Sequence, residues 1–161
     1  MSRPCERHGD GVYFIIMPLQ FGHPQDPRDH VPRPSAYAVI LRDDGLILAV
    51  IDGPETMLPG GGIDDGEDAR TAVVREIMEE TGFAATIESK IGDANEYVFL
   101  PKQHRNVNKI SSFYLAYVDG AANPDVVPEH EPVWITADEF AGRTSHESHA
   151  WAVRRAFEAR R

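Results

Sequence analysis

The segment from residue 61 to residue 83 constrains the fold more than any other part of the sequence. Three consecutive glycines begin at Gly60, which favours a sharp turn and a close approach of the backbone to a neighbouring group. The residues that follow predict a helix over 68–81, with Asp68 at its N-cap and Gly82 just past its last turn. We therefore expect a tight loop that leads directly into a well-capped helix.

Three carboxylates lie on one side of this predicted helix. At about 100° per residue, Glu76, Glu79 and Glu80 fall within an arc of roughly 100°. Like charges at this spacing repel, and a divalent cation would remove the conflict; oxygen ligands favour Mg²⁺ or Mn²⁺ over Zn²⁺. Arg75 precedes Glu79 by one helical turn and is expected to pair with it. Taken alone, a glutamate-rich helix is more typical of a solvated face.

The other elements predict a mixed α/β layer structure. Two further helices are expected to begin at capping boxes, formed by Thr136 with Glu139 and by Thr144 with Glu147, the second running to about residue 160. Residues 46–51 are expected to pair back on 35–41 as a hairpin. The predicted strands are 12–19, 35–41, 46–51, 57–63, 84–93, 95–100, 110–118 and 133–135, with proline-rich residues 22–34 and the segments 101–109 and 119–128 as loops.

Length, charge and cysteine content narrow the class of protein. A chain of 161 residues favours one domain, 1–161, with residues 1–11 as a loose terminus. The net charge of -10 argues against non-specific binding to nucleic acid. Cys5 is the only cysteine, which favours a reducing, cytoplasmic location. No apolar run approaches the length of about 18 residues that a membrane helix needs, so no membrane partner is expected.

Residues 61–83 resemble the signature of the Nudix hydrolase family, in its bacterial, MutT-like form. The pattern is a glycine, five residues, a glutamate, seven residues, Arg-Glu, an apolar residue, any residue, Glu-Glu, any residue, a glycine and an apolar residue. Its members here are Gly61, Glu67, Arg75, Glu76, Ile77, Glu79, Glu80, Gly82 and Phe83. The resemblance implies the Nudix fold, an α/β/α sandwich with a mixed β-sheet.

The resemblance also implies an activity and a metal site. Nudix enzymes hydrolyse the diphosphate bond of a nucleoside diphosphate linked to another group, and they use Mg²⁺ or Mn²⁺. The metal ligands implied are Glu76, Glu79, Glu80 and the backbone carbonyl of Gly60. Arg75 would orient Glu79. Glu67 would support the loop and the helix.

Three glutamates are candidates for the general base. The family draws it from the signature or from a later loop, so the candidates are Glu80, Glu129 and Glu131. A base must lie within hydrogen-bond reach of the attacking water, which spacing alone does not decide. For Glu129 and Glu131, a solvated acidic loop is an equally good interpretation.

Candidate substrate contacts lie beyond the helix. Lys102, Arg105 and Lys109 form a local basic cluster in an acidic chain and could bind an anionic group of the substrate, and Tyr97 could stack on a base. The alternatives are a solvated hairpin tip for the basic residues and a core position for the tyrosine, and both are the more common outcome for such residues.

Two functional hypotheses follow. The first is a metal-dependent hydrolase acting on a nucleoside triphosphate or a small nucleotide derivative. The second is a module on the same fold that senses a nucleotide without cleaving it. The expected partner is a small nucleotide, and the resemblance allows a homodimer. His146 and His149 lie on one helix face, but without a third nitrogen ligand they favour structural packing.

Overall fold

The structure, a computed structural model, describes residues 18–161. The strands are β1 (Leu19–Phe21), β2 (Val31–Ile40), β3 (Ile47–Asp52), β4 (Glu55–Met57), β5 (Gly60–Gly62), β6 (Ala85–Leu100), β7 (Arg105–Val118) and β8 (Glu131–Ile135). The helices are α1 (Ala69–Thr81), α2 (Ala137–Arg143) and α3 (Glu147–Ala159), with 3₁₀ turns at Pro27–Asp29 and Pro101–Gln103. Within the described residues, no helix is long and apolar enough to cross a membrane.

The strands form two sheets. The larger one is mixed and five-stranded, in the order β1-β6-β7-β2-β5. In it β2 runs parallel to β7, and β1 runs parallel to β6, whereas the β6–β7 and β2–β5 pairs are antiparallel. The smaller sheet is antiparallel, in the order β4-β3-β8.

Helices cover both faces of the larger sheet. Successive side chains of a strand point to opposite faces, and β2 follows this rule. Ala36, Ala38 and Ile40 pack with the apolar side of α1, whereas Tyr37 and Val39 pack with the apolar side of α3. The predicted α/β/α sandwich with a mixed sheet is therefore confirmed.

Helix α1 begins and ends as the sequence predicts. The side chain of Asp68 accepts a hydrogen bond from the backbone N–H of Thr71 at 2.8 Å. Gly82 adopts a left-handed conformation with φ 76° and donates its N–H to the carbonyl of Met78. Both ends are thus satisfied by local groups, which fixes the rotation and length of the carboxylate-bearing helix.

Strand β2 is longer than predicted. It begins at Val31 rather than residue 35, although Pro32 and Pro34 lie within it. The carbonyl of Pro34 accepts a hydrogen bond from Ile63, on the side away from β7. Because N–H and C=O of one residue point to the same side of a strand, the missing N–H of Pro34 removes nothing from the ladder with β7.

The predicted hairpin of 46–51 on 35–41 is wrong. Only one bridge, between Leu41 and Ile47, joins the two segments. β3 instead lies in the middle of the smaller sheet. The segment predicted as one strand at 57–63 is likewise divided between the two sheets, as β4 and β5.

β6 and β7 form one long hairpin in the region where the sequence predicts two strands and a loop. The strands predicted at 84–93 and 95–100 form one strand with two register shifts near Ser89 and Gly92. The predicted loop 101–109 shortens to a 3₁₀ turn and His104, which has φ 46°, so that β7 starts at Arg105.

One of the two predicted capping boxes is confirmed. Thr136 and Glu139 make both reciprocal hydrogen bonds at the start of α2. The second box is wrong: Thr144 ends α2, and α3 starts at Glu147 after His146, without a side-chain cap. Of the strand predicted at 12–19, residues 12–17 lie outside the described part of the chain.

Candidate active site

The glycine loop holds the most buried carboxylate of α1. β5 pairs with β2, which places the backbone of Gly60 beside the C-terminal half of α1. The N–H of Gly60 donates to Oε2 of Glu80 at 2.9 Å. Glu80 is only 5% exposed, so this bond and a contact of 3.4 Å between Oε1 and Nε2 of His130 account for its polar surroundings.

Gly61 leaves the space that Glu76 occupies. A Cβ atom at Gly61 would lie 2.7 Å from both Cδ and Oε1 of Glu76, closer than real Cβ contacts. The absence of a side chain at this position therefore lets the Glu76 carboxylate lie against the loop backbone.

Arg75 ties three carboxylates to the loop. Its Nε and one terminal nitrogen each bond Glu67 at 2.9 Å, a bidentate pair. The other terminal nitrogen bonds Oε1 of Glu76 and Oε2 of Glu79, each at 3.1 Å. Arg75 also donates to the carbonyl of Gly62 at 3.2 Å. The predicted pairing with Glu79 is confirmed, and the paired Glu67 joins the loop to the helix.

Negative charge accumulates where these groups meet. Burial raises the pKa of Glu80 to about 8, and the nearby charges of Glu76, Glu129 and Glu79 add to the effect against the opposing Gly60 hydrogen bond. Burial also raises the pKa of Glu76, although Arg75 opposes it. Among the described residues, several acidic side chains thus share the one guanidinium of Arg75.

The donor chemistry fits a divalent cation. All three α1 carboxylates are oxygen donors, the ligand type that Mg²⁺ prefers. Among residues 18–161, no group of three Asp, Glu, His or Cys side chains is already arranged to hold a metal ion. Arg75 engages only one oxygen each of Glu76 and Glu79, so the other oxygen of each carboxylate could bind an ion while Arg75 stays in place.

The two later glutamates occupy different places. Glu129 lines the same cavity as Glu76 and Glu80, and its N–H donates to the carbonyl of Glu79 at 3.1 Å. Glu131 is an exposed residue of β8, paired with Ile51, and it is not part of the cavity lining. His130, which sequence reasoning missed, lies between them and faces Glu80.

A cavity of about 770 Å³ opens in front of the carboxylates. Its wall combines the glycine loop and α1 carboxylates with basic and aromatic side chains from β2, β6 and β7. The residues that line it include Arg33, Tyr37, Asp52, Gly60, Gly61, Glu76, Glu80, Phe99, Lys102, Lys109, Glu129, His130 and His146. Its size and mixed lining are typical of a small-molecule site.

Only two of the four predicted substrate contacts reach this cavity. Lys102 lies at the rim, 77% exposed, and its Nζ pairs with Asp52 at 3.0 Å. Lys109 is buried in the wall. Arg105 is exposed outside the lining. Tyr97 also lies outside it and packs edge-on against His30 at 5.1 Å.

His146 directly precedes α3, His149 lies within it, and both side chains are buried. Nδ1 of His146 lies 3.2 Å from Glu96, which also accepts from the backbone and hydroxyl of Ser148. Nδ1 of His149 accepts a hydrogen bond from the N–H of Leu58 at 3.2 Å. The partner Glu96 was not singled out from the sequence, because one glutamate on a strand carries no local signal.

Comparison with known proteins identifies the family. The family model described as the NUDIX domain matches residues 31–157. The chain belongs to the Nudix family. The match spans β2 to α3 and therefore covers the sandwich and the carboxylate cluster together.

Solved Nudix structures share the fold. A NUDIX hydrolase from Nitrosomonas europaea superposes with a TM-score of 0.65 at 20% identity, over 81% of this chain and 91% of that one. A MutT NUDIX hydrolase from Burkholderia pseudomallei gives 0.61 at 27% identity, over 77% and 97%. The E. coli dihydroneopterin triphosphate pyrophosphohydrolase gives 0.64 at 20% identity, over 76% and 94%.

Curated Nudix relatives match over shorter segments. A putative 8-oxo-dGTP diphosphatase of Bacillus subtilis is 44% identical over 71 residues, 43% of this chain and 48% of the relative. An RNA pyrophosphohydrolase of Cereibacter sphaeroides is 39% identical over 77 residues, 45% of this chain and 48% of the relative. The matched segments thus span about half the length of these relatives.

Proposed function

We propose that this Nudix protein is a divalent-metal-dependent hydrolase that cleaves a phosphoanhydride bond in a nucleoside diphosphate derivative. The observation that carries the proposal is the cluster of Glu76, Glu79 and Glu80 against the glycine loop, at the edge of a cavity large enough for a nucleotide. The family membership and the names of the relatives support it.

Each residue of the cluster has a role that its contacts support. Glu76, Glu79, Glu80 and the carbonyl of Gly60 would hold Mg²⁺, or Mn²⁺ in its place. The ion supplies positive charge against the phosphate oxygens and the attacking water. Arg75 keeps Glu79 and Glu76 turned towards the loop, because it is itself fixed by its bidentate pair with Glu67.

The names of similar proteins suggest which substrates to test first. The curated relatives are named for 8-oxo-dGTP and for RNA, and one structural neighbour is named for dihydroneopterin triphosphate. We therefore propose a nucleoside triphosphate or a small nucleotide derivative, and the single cysteine supports action in the cytoplasm. The net charge of -10 disfavours long RNA as a partner.

A nucleotide panel with and without metal tests the proposal. The panel contains canonical and oxidised nucleoside triphosphates, ADP-ribose, nucleotide sugars, dinucleoside polyphosphates and a 5′-triphosphorylated RNA. We expect turnover of one class with Mg²⁺ and none after chelation, with Glu79→Gln reducing kcat at least about 100-fold. The exposed Glu158→Gln, on the far end of α3, is the matched control.

Two outcomes of this panel contradict parts of the proposal. Turnover that survives chelation would refute the metal requirement. Tight nucleotide binding without turnover at millimolar Mg²⁺ would favour the alternative, a nucleotide-sensing module. A concentration series by light scattering, run on the same samples, would test the homodimer that the resemblance allows.

A pair of variants separates the candidate general bases. We expect Glu129→Gln to lower kcat by roughly 10²-fold with little change in KM, because Glu129 lines the cavity beside Glu76 and Glu80. Glu131→Gln should stay within about twofold of wild type, because its exposed side chain lies outside the lining. The reverse ranking would assign the base to Glu131, and no effect of either would leave Glu80.

A further inference from the structure

Lys109 is a buried cation in the cavity wall. It is 5% exposed, and its Nζ lies 5.7 Å from the centre of the Tyr37 ring. Within residues 18–161 it forms neither a hydrogen bond through its side chain nor an ion pair with an acidic group. Lys102, by contrast, is exposed at the rim and already paired with Asp52.

Within residues 18–161, the carboxylate opposite Lys109 in the sheet forms no ion pair with this lysine. Glu96 is its direct partner in the β6–β7 register, and directly opposed residues share one face of a sheet. Both Glu96 oxygens are occupied by the start of α3: Oε1 accepts from the N–H of Ser148, and Oε2 accepts from the Ser148 hydroxyl at 2.9 Å and faces His146. The carboxylate therefore points to the start of α3, and the lysine has no ion pair among residues 18–161.

His149, which packs on the same tyrosine ring as Lys109, presents a donor rather than an acceptor. His149 accepts from Leu58 through Nδ1, so its neutral ring carries a proton on Nε2, and this buried nitrogen has no partner among the described residues. Burial, together with the charges of His146 and Lys109, lowers the pKa of His149 and keeps the ring neutral. His149 therefore offers no acceptor to Lys109.

A second cation stands beside Lys109. Arg33 is its register partner across the parallel β2–β7 pair, and both side chains line the cavity. Arg33 has no ion pair with any acidic side chain that the structure describes. Two cations that have no ion pair among residues 18–161 therefore line the same cavity as Glu76 and Glu80.

We infer that Lys109 and Arg33 form an anion subsite, which binds a negatively charged phosphoryl group of the substrate. The ammonium of a lysine that is only 5% exposed has little contact with bulk water, and an incoming anion would supply the counter-charge that residues 18–161 do not. A bound phosphoryl oxygen would accept charge-assisted hydrogen bonds from both side chains. A neutral base carbonyl would leave the charge uncompensated.

The subsite is distinct from the carboxylate cluster but close to it. Tyr37 joins the two: its ring lies under Lys109, and its Cδ1 would be 2.7 Å from a Cβ at Gly60, the residue that binds Glu80. If the proposed hydrolysis takes place at the cluster, the substrate carries a further anionic group beyond the phosphates held there. This step rests on the proposed function, whereas anion binding itself does not.

Metal-free binding tests the subsite without catalysis. Calorimetry with inorganic tripolyphosphate in EDTA compares wild type, Lys109→Met, Lys109→Arg and the exposed control Arg154→Met. We expect Lys109→Met to weaken binding at least about tenfold, Lys109→Arg to stay within about threefold, and Arg154→Met to match wild type. Without metal the carboxylates repel the anion, so the measured affinity reports binding at Lys109 and Arg33.

Thermal unfolding separates this role from a structural one. We expect Lys109→Met to keep or raise Tm without ligand, because it removes an unpaired buried charge, and tripolyphosphate to raise Tm only where Lys109 or Lys109→Arg is present. Equal tripolyphosphate affinity in wild type and Lys109→Met, no binding to wild type at millimolar anion, or a lower Tm of ligand-free Lys109→Met would each overturn the subsite.

Substrates then distinguish the sources of the phosphoryl group. If the third phosphate of a nucleoside triphosphate occupies the subsite, Lys109→Met lowers kcat/KM at least about tenfold for the triphosphate and less than about twofold for a nucleotide sugar. If the group is a distal phosphate, Lys109→Met lowers kcat/KM for a dinucleoside polyphosphate instead. Equal losses for all substrates would contradict the assignment. Absence of turnover with intact anion binding would refute the hydrolase and keep the subsite.

Discussion

Replacing Glu80 with glutamine is expected to lower kcat by roughly 10²–10⁴-fold and, without metal, to make the protein more stable. Glutamine keeps the shape of the side chain and can still accept the hydrogen bond from Gly60. It loses the charge that the proposed metal site requires. Steady-state kinetics at saturating Mg²⁺ measures the first effect.

The gain in stability follows from the raised pKa of Glu80. The pKa is about 8 in the folded protein against an ordinary value of 4.5, so the folded state binds more protons between these two pH values. The free energy of unfolding of wild type therefore falls as pH rises through this window. Glu80→Gln removes that loss and should gain up to about 3 kcal/mol at pH 7, a rise in Tm of roughly 5–10 °C.

Unfolding in EDTA at pH 5 and pH 7.5 measures the difference. The free energy of unfolding of Glu80→Gln should exceed that of wild type by more at pH 7.5 than at pH 5. Glu158→Gln, which replaces an exposed glutamate, should follow wild type at both pH values. Mg²⁺ should then stabilise wild type more than Glu80→Gln, since a ligand stabilises the state that binds it. A constant difference between the two proteins across pH would contradict the burial of an ionisable Glu80.

The second large effect is expected at Gly60. Its φ is 145°, a region that side chains rarely adopt, and a Cβ there would overlap the carbonyl oxygen of Ala36 and lie 2.7 Å from Cα of Tyr37. These are backbone atoms of β2, an interior strand held between β7 and β5, which cannot move aside. Gly60→Ala should therefore destabilise the fold by about 4 kcal/mol or more, measured by urea unfolding.

The two following glycines provide matched controls. Gly62→Ala meets no atom within 4 Å, so it should stay within about 0.5 kcal/mol of wild type. Gly61→Ala meets only the end of the Glu76 side chain, which can rotate away. It should fold but lose activity. Equal stability of all three variants would show that the loop does not pack on β2 as described.

The signature helix is where sequence and structure agree in detail. Asp68, Gly82 and the Arg75–Glu79 pair all act within a few residues of themselves, so the sequence contains both partners of each interaction. The same holds for the capping box of Thr136 and Glu139. The same pattern at Thr144 does not form a capping box. Thr144 ends α2, and its hydroxyl accepts a hydrogen bond from the N–H of His146 instead of capping α3.

The later site residues required the structure. Glu129 and Glu131 are two positions apart and chemically identical, and only the entry into β8 turns one towards the cavity and the other away from it. In the sequence, Lys109 and Arg105 are equivalent members of one predicted basic loop. The early start of β7 buries Lys109 in the cavity wall and leaves Arg105 in solvent.

The sequence by itself determined the family, the capped helix and the carboxylate cluster, because their spacing along one helix fixes their arrangement in space. Only the tertiary structure decided how the strands divide between two sheets, and that Glu96 turns to α3 while Lys109 and Arg33 have no ion pair in the described part of the chain. These outcomes depend on contacts between residues distant along the chain. Burial and pairing of charge arise from such contacts, and no local pattern encodes them.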